Sequence, residues 1–111
     1  MSFTHQGAEW LGYPKGVNFT ETIADDIKAA INNCAAFEKA TGRTVILGEF
    51  GVYLNGASMD DATQYIKTVT DYCAEKGIDW CYWEYNAGFG AYNESAKAWK
   101  SEILTALGVQ Q

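Results

Sequence analysis

Residues 45–51, Val45-Ile46-Leu47-Gly48-Glu49-Phe50-Gly51, are the segment most indicative of the fold of this chain. Its first three residues predict a buried parallel strand, because strands that are covered on both faces show a continuous apolar run rather than alternation. Glu49 is the first charged residue after that run, and Gly48 and Gly51 leave room for another group to approach the backbone. Ligands bind at the carboxyl ends of parallel strands. The stretch therefore predicts an α/β domain with Glu49 at its functional edge.

Two interpretations of Glu49 are open at this point. A carboxylate at the end of a strand can be a functional acid that faces a ligand, or a structural acid held by an arginine or by backbone donors. Acids in such positions predict catalysis only loosely, so the segment alone does not separate the two interpretations.

A second segment, at 78–85, is rich in aromatic and β-prone residues and predicts a second strand. It carries four aromatic rings within six residues, at Trp80, Tyr82, Trp83 and Tyr85, which is more than one strand needs to cover a core. Aromatic rings beside acids suit a sugar, because its C–H faces stack on rings while its hydroxyls bond to carboxylates. A well-packed aromatic strand is the alternative for at least two of these rings.

The spacing of apolar residues predicts three helices around the two strands. Asn18 and Glu21 form a candidate capping box for the first helix, and Ser58 begins the second. The predicted order is a loop over 1–17, a helix to 42, a strand over 43–50, a helix over 58–77, a strand over 78–85 and a last helix to 108. The helical positions predicted to face the core are Ile23, Ile27, Ile31, Cys34, Phe37, Ala62, Ile66, Val69, Cys73, Ala96, Trp99, Ile103 and Leu107.

Three blocks of the sequence resemble glycoside hydrolase family 5, the cellulase and endoglucanase family of retaining enzymes. The blocks are FTHQGAEW at 3–10, LGEFGVY at 47–53, and WCYWEY at 80–85 followed by GFG at 88–90. They stand in the family's order and at about its spacing. The resemblance therefore spans essentially the whole chain, and the three blocks together are specific.

The resemblance implies a (β/α)8 barrel and retaining hydrolysis of a β-1,4-glucan or a related β-glycan, without a cofactor or a metal. Glu49 matches the family's nucleophile at the end of the seventh strand. Trp83 matches the tryptophan at the end of the eighth strand that lines the sugar site next to the cleaved bond. His5, Trp10 and the loop at 86–92 would border the cleft, although packing within the loops is an equal alternative for His5 and Trp10.

Three further residues are assigned from their positions along the two strands. Trp80 and Trp83 differ by three positions, so strand alternation predicts that one points toward the barrel axis and the other toward the helices. Glu84 is expected to be held in a salt bridge rather than to bind a sugar hydroxyl. Tyr53 is expected to stack in the loop after the first predicted strand.

The resemblance covers only the last third of the barrel. The family's acid/base is a glutamate after an asparagine on the fourth strand, and it has no match here because no Asn-Glu-Pro occurs. The family's histidine and tyrosine of the sixth strand would lie before Met1. Such a barrel takes about 250 residues, whereas this chain has 111. The chain would thus carry the nucleophile half of the mechanism. The alternatives are a catalytically inactive fragment that binds sugar or assembles with itself, and an unrelated small α/β enzyme.

Residues 1–111 form one unit by length and composition, with two strands and three helices. Parallel sheets are normally covered on both faces, and open edges pair with other chains. We therefore expect the partial barrel to be completed by association, either with copies of itself or with a fragment that carries the remaining strands. It is not expected to be a monomer.

Charge and hydropathy exclude several other classes of partner. The net charge is −6 and no basic stripe occurs, which argues against nucleic-acid binding. The longest apolar runs are far below the roughly 20 residues that a membrane span needs. No secretory leader follows Met1, so localisation is open, although the family it resembles is extracellular.

Neither the cysteines nor the histidine have the spacing of a metal site. Cys34, Cys73 and Cys81 are an odd number without a C-x-x-C motif, and the first two are predicted to be buried thiols rather than a disulfide or a zinc site. His5 is the single histidine and has no second ligand at metal spacing.

Overall fold

Two parallel strands pair at the centre of the computed structural model, which describes residues 2–110. They are β1 (Ile46–Phe50) and β2 (Asp79–Tyr82). Their alignment is irregular between Leu47 and Phe50, so the strand bends just where its carboxyl end begins. The predicted pair of parallel strands is confirmed, although both strands are shorter than the predicted ranges.

Three helices surround this sheet, as predicted. They are α1 (Glu21–Thr41), α2 (Met59–Lys76) and α3 (Ser101–Ala106). A short 3₁₀ helix (Glu9–Leu11) interrupts the loop that was predicted at the start of the chain.

The caps of the first two helices differ in how well the sequence predicts them. Ser58 caps α2 as predicted, since its hydroxyl accepts a hydrogen bond from the Asp61 N–H at 3.1 Å. The cap predicted at Asn18 is wrong, because Thr20 is the extended residue that precedes α1. The Thr20 hydroxyl accepts from the Ile23 N–H at 3.3 Å.

A hairpin replaces the first part of the predicted last helix. Strand β3 (Tyr92–Asn93) pairs antiparallel with β4 (Ala98–Trp99), so the prediction that Ala96 and Trp99 are helical and face the core is wrong. The Asn93 side chain accepts a hydrogen bond from the Ala96 N–H at 3.1 Å. This local bond favours a turn over a helix, because it offers the backbone an alternative partner.

Helix α2 forms the centre of the core, as its periodicity predicts. Its predicted inward positions, Ala62, Ile66, Val69 and Cys73, are all buried. Ile103 of α3 is buried beside them, and Thr70 of α2 donates a hydrogen bond to the Ala106 carbonyl at 3.0 Å.

Helix α1 packs mainly on α2 rather than on the sheet. Ile31 is buried, and Ile23, Ile27 and Cys34 are half-buried, as the predicted inward face requires. The prediction for Phe37 is wrong, because its side chain is 52% exposed. The part of α1 from Ile23 to Cys34 reaches the core, and the last turns that carry Phe37 extend beyond it.

Strand β1 is less covered than the continuous apolar run predicts. Ile46 is 59% exposed, while Val45 and Leu47 are half-buried. Within residues 2–110, β1 and β2 each have a single neighbouring strand, so each has one open edge. The prediction of a buried strand is wrong for Ile46, because the described residues do not cover the face of the sheet on which its side chain lies.

The three cysteines are free thiols. Cys73 is buried, as predicted, whereas Cys34 is only half-buried and Cys81 is exposed. Burial, and secondarily the nearby Cys34, raises the pKa of the Cys73 thiol. No helix in the described range is both long and apolar enough to cross a membrane.

Candidate functional site

An open pocket of about 410 Å³ lies at the carboxyl end of β1. One part of its wall is formed by Glu49, His5, Trp83 and Phe89, which come from β1, from the first loop and from the segment after β2. Three separate parts of the chain therefore meet at the carboxyl end of a parallel sheet, which is where ligands bind in such folds.

The carboxylate of Glu49 is exposed to this pocket. It forms no hydrogen bond or ion pair with any other residue in 2–110, so the interpretation of a structural acid held by an arginine or by backbone donors has no support among those residues. The ends of the two strands are joined next to it, where the Trp83 N–H donates to the Phe50 carbonyl at 2.7 Å. Glu49 thus projects from a fixed backbone with its oxygens available to a ligand.

The two glycines that flank Glu49 have different roles. A Cβ atom on Gly51 would lie 2.1 Å from the Trp83 carbonyl oxygen and 3.4 Å from a ring carbon of Phe89. A Cβ atom on Gly48 would meet no atom within 4 Å. Of the two positions, only 51 requires a glycine, because there the backbone of Trp83 approaches closely. This close approach brings Trp83 beside Glu49.

These neighbours give a matched pair of substitutions. Gly51→Ala should lower the free energy of unfolding by about 1–3 kcal/mol or more, because the new methyl group overlaps a backbone oxygen that cannot rotate away. Gly48→Ala should change it by less than about 0.5 kcal/mol. Urea denaturation of both variants measures the difference. Equal stabilities would contradict the close contact between Gly51 and Trp83.

The two tryptophans of the second strand region have different surroundings. Trp83 is 51% exposed and lines the pocket, and its peptide bond to Glu84 is cis. Trp80 is half-buried and its ring packs edge-on against Phe50, with the ring centroids 5.5 Å apart. Trp83 therefore presents its ring to a ligand, while Trp80 belongs to the core.

His5 and Trp10, the other two predicted contacts, are not equivalent. His5 lines the pocket, where its Nδ1 lies 2.8 Å from the Thr4 hydroxyl and its ring packs edge-on against Phe89. Trp10 is 71% exposed and packs on Tyr53 outside the pocket. Tyr53 stacks among these loops as predicted. The structure thus brings Glu49, Trp83 and His5 together but leaves Trp10 apart.

Phe89 lines the pocket and was not singled out from the sequence. It belongs to the GFG block, whose glycines drew attention to backbone shape rather than to the ring between them. Its ring contacts both His5 and Tyr53, at centroid distances of 5.4 and 5.6 Å. The resemblance placed the loop at 86–92 at the border of the cleft, and these long-range contacts identify Phe89 as the ring of that loop that lines the pocket.

The expected salt bridge of Glu84 is wrong. Its carboxylate instead accepts hydrogen bonds from the backbone N–H groups of Ala87 at 2.9 Å and Phe89 at 3.2 Å, and no ion pair involves it among the described residues. The Tyr82 hydroxyl donates to the Phe89 carbonyl at 2.8 Å. Burial, and secondarily the charge of Glu84, raises the pKa of Tyr82, so its hydroxyl keeps the proton that it donates.

The other part of the pocket is an apolar slot between α1 and the open edge of β1. It is lined by Ile27, Ile31, Leu47 and Val69. Ile31 and Val69 are buried at its base, whereas Ile27 and Leu47 are half-buried. The slot lies beside the strand edge, where a further parallel strand would fit.

The residues that line the pocket carry one carboxylate, one imidazole, the hydroxyl groups of Thr4 and Tyr65, and aromatic rings. Glu49 is the only acidic side chain among its lining residues in the described chain. No group of three or more His, Cys, Asp or Glu side chains in residues 2–110 has the arrangement of a metal site. A lone free carboxylate beside a tryptophan can act as a nucleophile or accept hydrogen bonds from hydroxyls.

Comparison with known protein families gives one match. The family model for cellulase (glycosyl hydrolase family 5) matches residues 2–89, which include Glu49, His5, Trp83 and Phe89 of the pocket wall. A search of curated proteins gave no match.

Several solved structures resemble the chain over most of its length. An endo-β-1,4-glucanase from a hyperthermophile, solved in complex with substrate, is 35% identical, with a TM-score of 0.87. The endoglucanase Cel5A of Thermotoga maritima, solved with cellobiose and with mannotriose, is 27% and 28% identical in the two structures, with TM-scores of 0.86 and 0.87. Each comparison covers 96% of this chain but only 35–36% of the other. The fold is therefore that of a fragment of a (β/α)8 barrel.

Proposed function

This chain belongs to glycosyl hydrolase family 5, and from that premise we propose that it supplies the nucleophile-bearing part of a retaining endo-β-1,4-glucanase. The observation that carries the proposal is Glu49, a carboxylate without a protein partner among residues 2–110 in a pocket that also holds Trp83. A charge that is left unpaired at a strand end, beside an exposed aromatic ring, is suited to a ligand rather than to the fold.

The proposed reaction uses two carboxyl groups about 5–5.5 Å apart. Glu49 attacks the anomeric carbon and forms a glycosyl ester, while the bond from that carbon to the leaving sugar oxygen breaks and an acid gives this oxygen a proton. The same second group, now a carboxylate, then takes a proton from water, which displaces Glu49 and restores the original configuration at the anomeric carbon. Glu49 must therefore be ionised when the substrate binds.

The second carboxyl group has no candidate in the pocket other than Glu49 among the described residues. We infer that it comes from another part of the barrel, because this chain covers only 36% of the longer structure. The apolar slot beside β1 supports this assignment, because a strand added there would extend the sheet and bring its own loop to the same edge. A complementing fragment or further copies of this chain could supply such a strand.

The proposed substrate is a β-1,4-linked glycan. The similar structures hold cellobiose and mannotriose. The sugar units of these two ligands differ, but each unit has the same ring size and an edge rich in hydroxyl groups. Trp83 is proposed to stack on the sugar ring next to the cleaved bond, and His5 to bond a hydroxyl beside it. Trp10 is proposed as an outer contact for a longer chain, since it lies outside the pocket and is largely exposed.

The stereochemistry of the product tests the proposal directly. The complete barrel should act on soluble cellulose derivatives, and proton NMR should detect the β-anomer as the first product. An α-anomer as first product would contradict the role of Glu49 as nucleophile. The absence of turnover in a complete, folded barrel that binds the sugar would favour the second candidate function.

That second candidate is a sugar-binding unit without hydrolysis. It is favoured by the single acid in the pocket, since one carboxylate and several rings suffice to bind a glycan but not to cleave it. A binding unit would tolerate Glu49→Gln with little change in affinity, because the amide oxygen also accepts hydrogen bonds.

The two tryptophans give a prediction that separates binding from stability. Trp83→Ala should weaken oligosaccharide binding by about fivefold or more, because a stacked ring is worth on the order of 1 kcal/mol or more. Trp80→Ala should instead lower the free energy of unfolding by about 2–3 kcal/mol, below the value for a fully buried ring because Trp80 is half-buried. Calorimetric titration with cellotetraose and urea denaturation measure the two effects. The reverse pattern would contradict the proposed stacking role of Trp83.

A further inference from the structure

The loop from Glu84 to Ala91 is held by several hydrogen bonds that converge on one residue. Phe89 has its N–H bonded to the Glu84 carboxylate and its carbonyl bonded to the Tyr82 hydroxyl. The neighbouring Gly88 carbonyl accepts from the Leu54 N–H at 2.9 Å, which ties the same loop to the segment after β1. The backbone of Phe89 is therefore fixed on both sides.

The ring of Phe89 forms part of the pocket wall, so the fixed backbone of Phe89 also fixes this part of the wall. It packs edge-on against His5 and lies beside Tyr53, and it approaches the space next to Gly51. Both Phe89 and His5 line the pocket that holds Glu49. A shift of the Phe89 backbone would thus move the wall against which His5 rests.

Glu84 itself does not line the pocket. Its carboxylate is used by two backbone N–H groups, those of Ala87 and Phe89, which are the kind of donor that stabilises an ionised acid. Because one oxygen serves both donors, removing the side chain would take one hydrogen bond from the turn and one from the residue that carries the ring in a single step.

We propose that Glu84 is a positioning residue of the glycan site, which acts through Phe89 to hold His5 at the pocket wall. This inference rests on the proposed function, since it assigns His5 a contact with the sugar. It assigns Glu84 no contact with the sugar and no part in the chemical step. The effect of Glu84 should therefore appear in substrate binding and depend on a hydrogen-bond acceptor rather than on the charge.

Three variants of the complete barrel test the proposal. Glu84→Ala should raise KM for a cello-oligosaccharide by about tenfold and leave kcat within about threefold, because the wall binds the ground state and the transition state alike. Glu84→Gln should restore a KM close to that of the wild type, since its carbonyl oxygen can accept from the same N–H groups. Cys73→Ala is the control for lost stability. Cys73 is buried at the end of α2, near the start of β2 and opposite the pocket, so KM should not change.

Two outcomes would overturn the proposal. A Glu84→Gln variant as impaired as Glu84→Ala would mean that the charge of Glu84 acts on the sugar directly. A Glu84→Ala variant with normal KM would mean that the loop does not position the wall.

NMR of the 111-residue chain separates this inference from the proposed function. The ring protons of His5 should shift in Glu84→Ala and stay near their wild-type positions in Glu84→Gln, because the ring current of Phe89 acts on His5 only while the two rings are in contact. Unchanged shifts in Glu84→Ala would overturn the proposal. If the wild-type barrel shows no turnover, the proposed function fails, and the His5 shifts still decide whether Glu84 positions the wall.

Discussion

Replacing Glu49 with glutamine should lower kcat of the complete barrel by about 10³-fold or more while leaving the fold intact. An amide cannot attack the anomeric carbon, and the covalent step has no substitute once the nucleophile is lost. The substitution changes only one oxygen to nitrogen on an exposed side chain without protein partners in residues 2–110, so stability should change by less than about 0.5 kcal/mol. Turnover of an aryl β-cellobioside and thermal denaturation measure the two effects.

Two controls sharpen this experiment. Glu75→Gln removes an exposed carboxylate of α2 and should leave turnover unchanged, which tests whether loss of charge alone matters. Glu49→Ala should regain turnover when azide is added, because a small anion can enter the vacated space and form an α-glycosyl azide. A β-glycosyl azide, or near-normal turnover of Glu49→Gln, would contradict the assignment of Glu49 as nucleophile.

The isolated chain should not be a monomer, and a fragment with the remaining strands should convert it from an inactive to an active species. Its sheet has an open edge on β1 beside the apolar slot, and an apolar groove of about 610 Å³ lies next to β2. Exposed Ile46 lies on β1 and exposed Trp99 lines the groove. Covering this apolar surface stabilises the assembly by roughly 25 cal/mol per Å². Pairing the strand edges also provides hydrogen-bond partners for their backbone N–H and C=O groups. Light scattering at micromolar concentration measures the mass.

The test of complementation uses the portion of the 35%-identical endo-β-1,4-glucanase that this chain does not match. Mixing the two should yield a complex and measurable turnover. Ile46→Asp should prevent association, because a charge on a strand edge opposes pairing, whereas Ala74→Asp on the exposed side of α2 should not. A cooperatively melting monomer that does not bind the fragment would contradict the prediction. Self-association without fragment binding would favour copies of the chain as the completing partner.

The sequence by itself determined the features that depend on neighbouring residues. The apolar run before Glu49 predicted β1, the spacing of apolar residues predicted the buried face of α2, and Ser58 predicted where that helix begins. The approach of a second backbone to Gly51 was also predicted from the glycine alone. These features follow from periodicity and from local steric limits, which a short segment contains in full.

Only the tertiary structure decided which distant groups meet. The partners of Glu84 are N–H groups in the following turn, and Phe89 became a pocket residue because its ring meets His5 from the other end of the chain. Periodicity also predicted a helix through Trp99, where side-chain bonding at Asn93 and ring packing formed a hairpin instead. The exposure of Ile46 followed from a face of the sheet that the described residues leave uncovered. A sequence pattern fixes what a side chain can do locally, but burial and hydrogen bonding depend on neighbours that only the folded chain brings together.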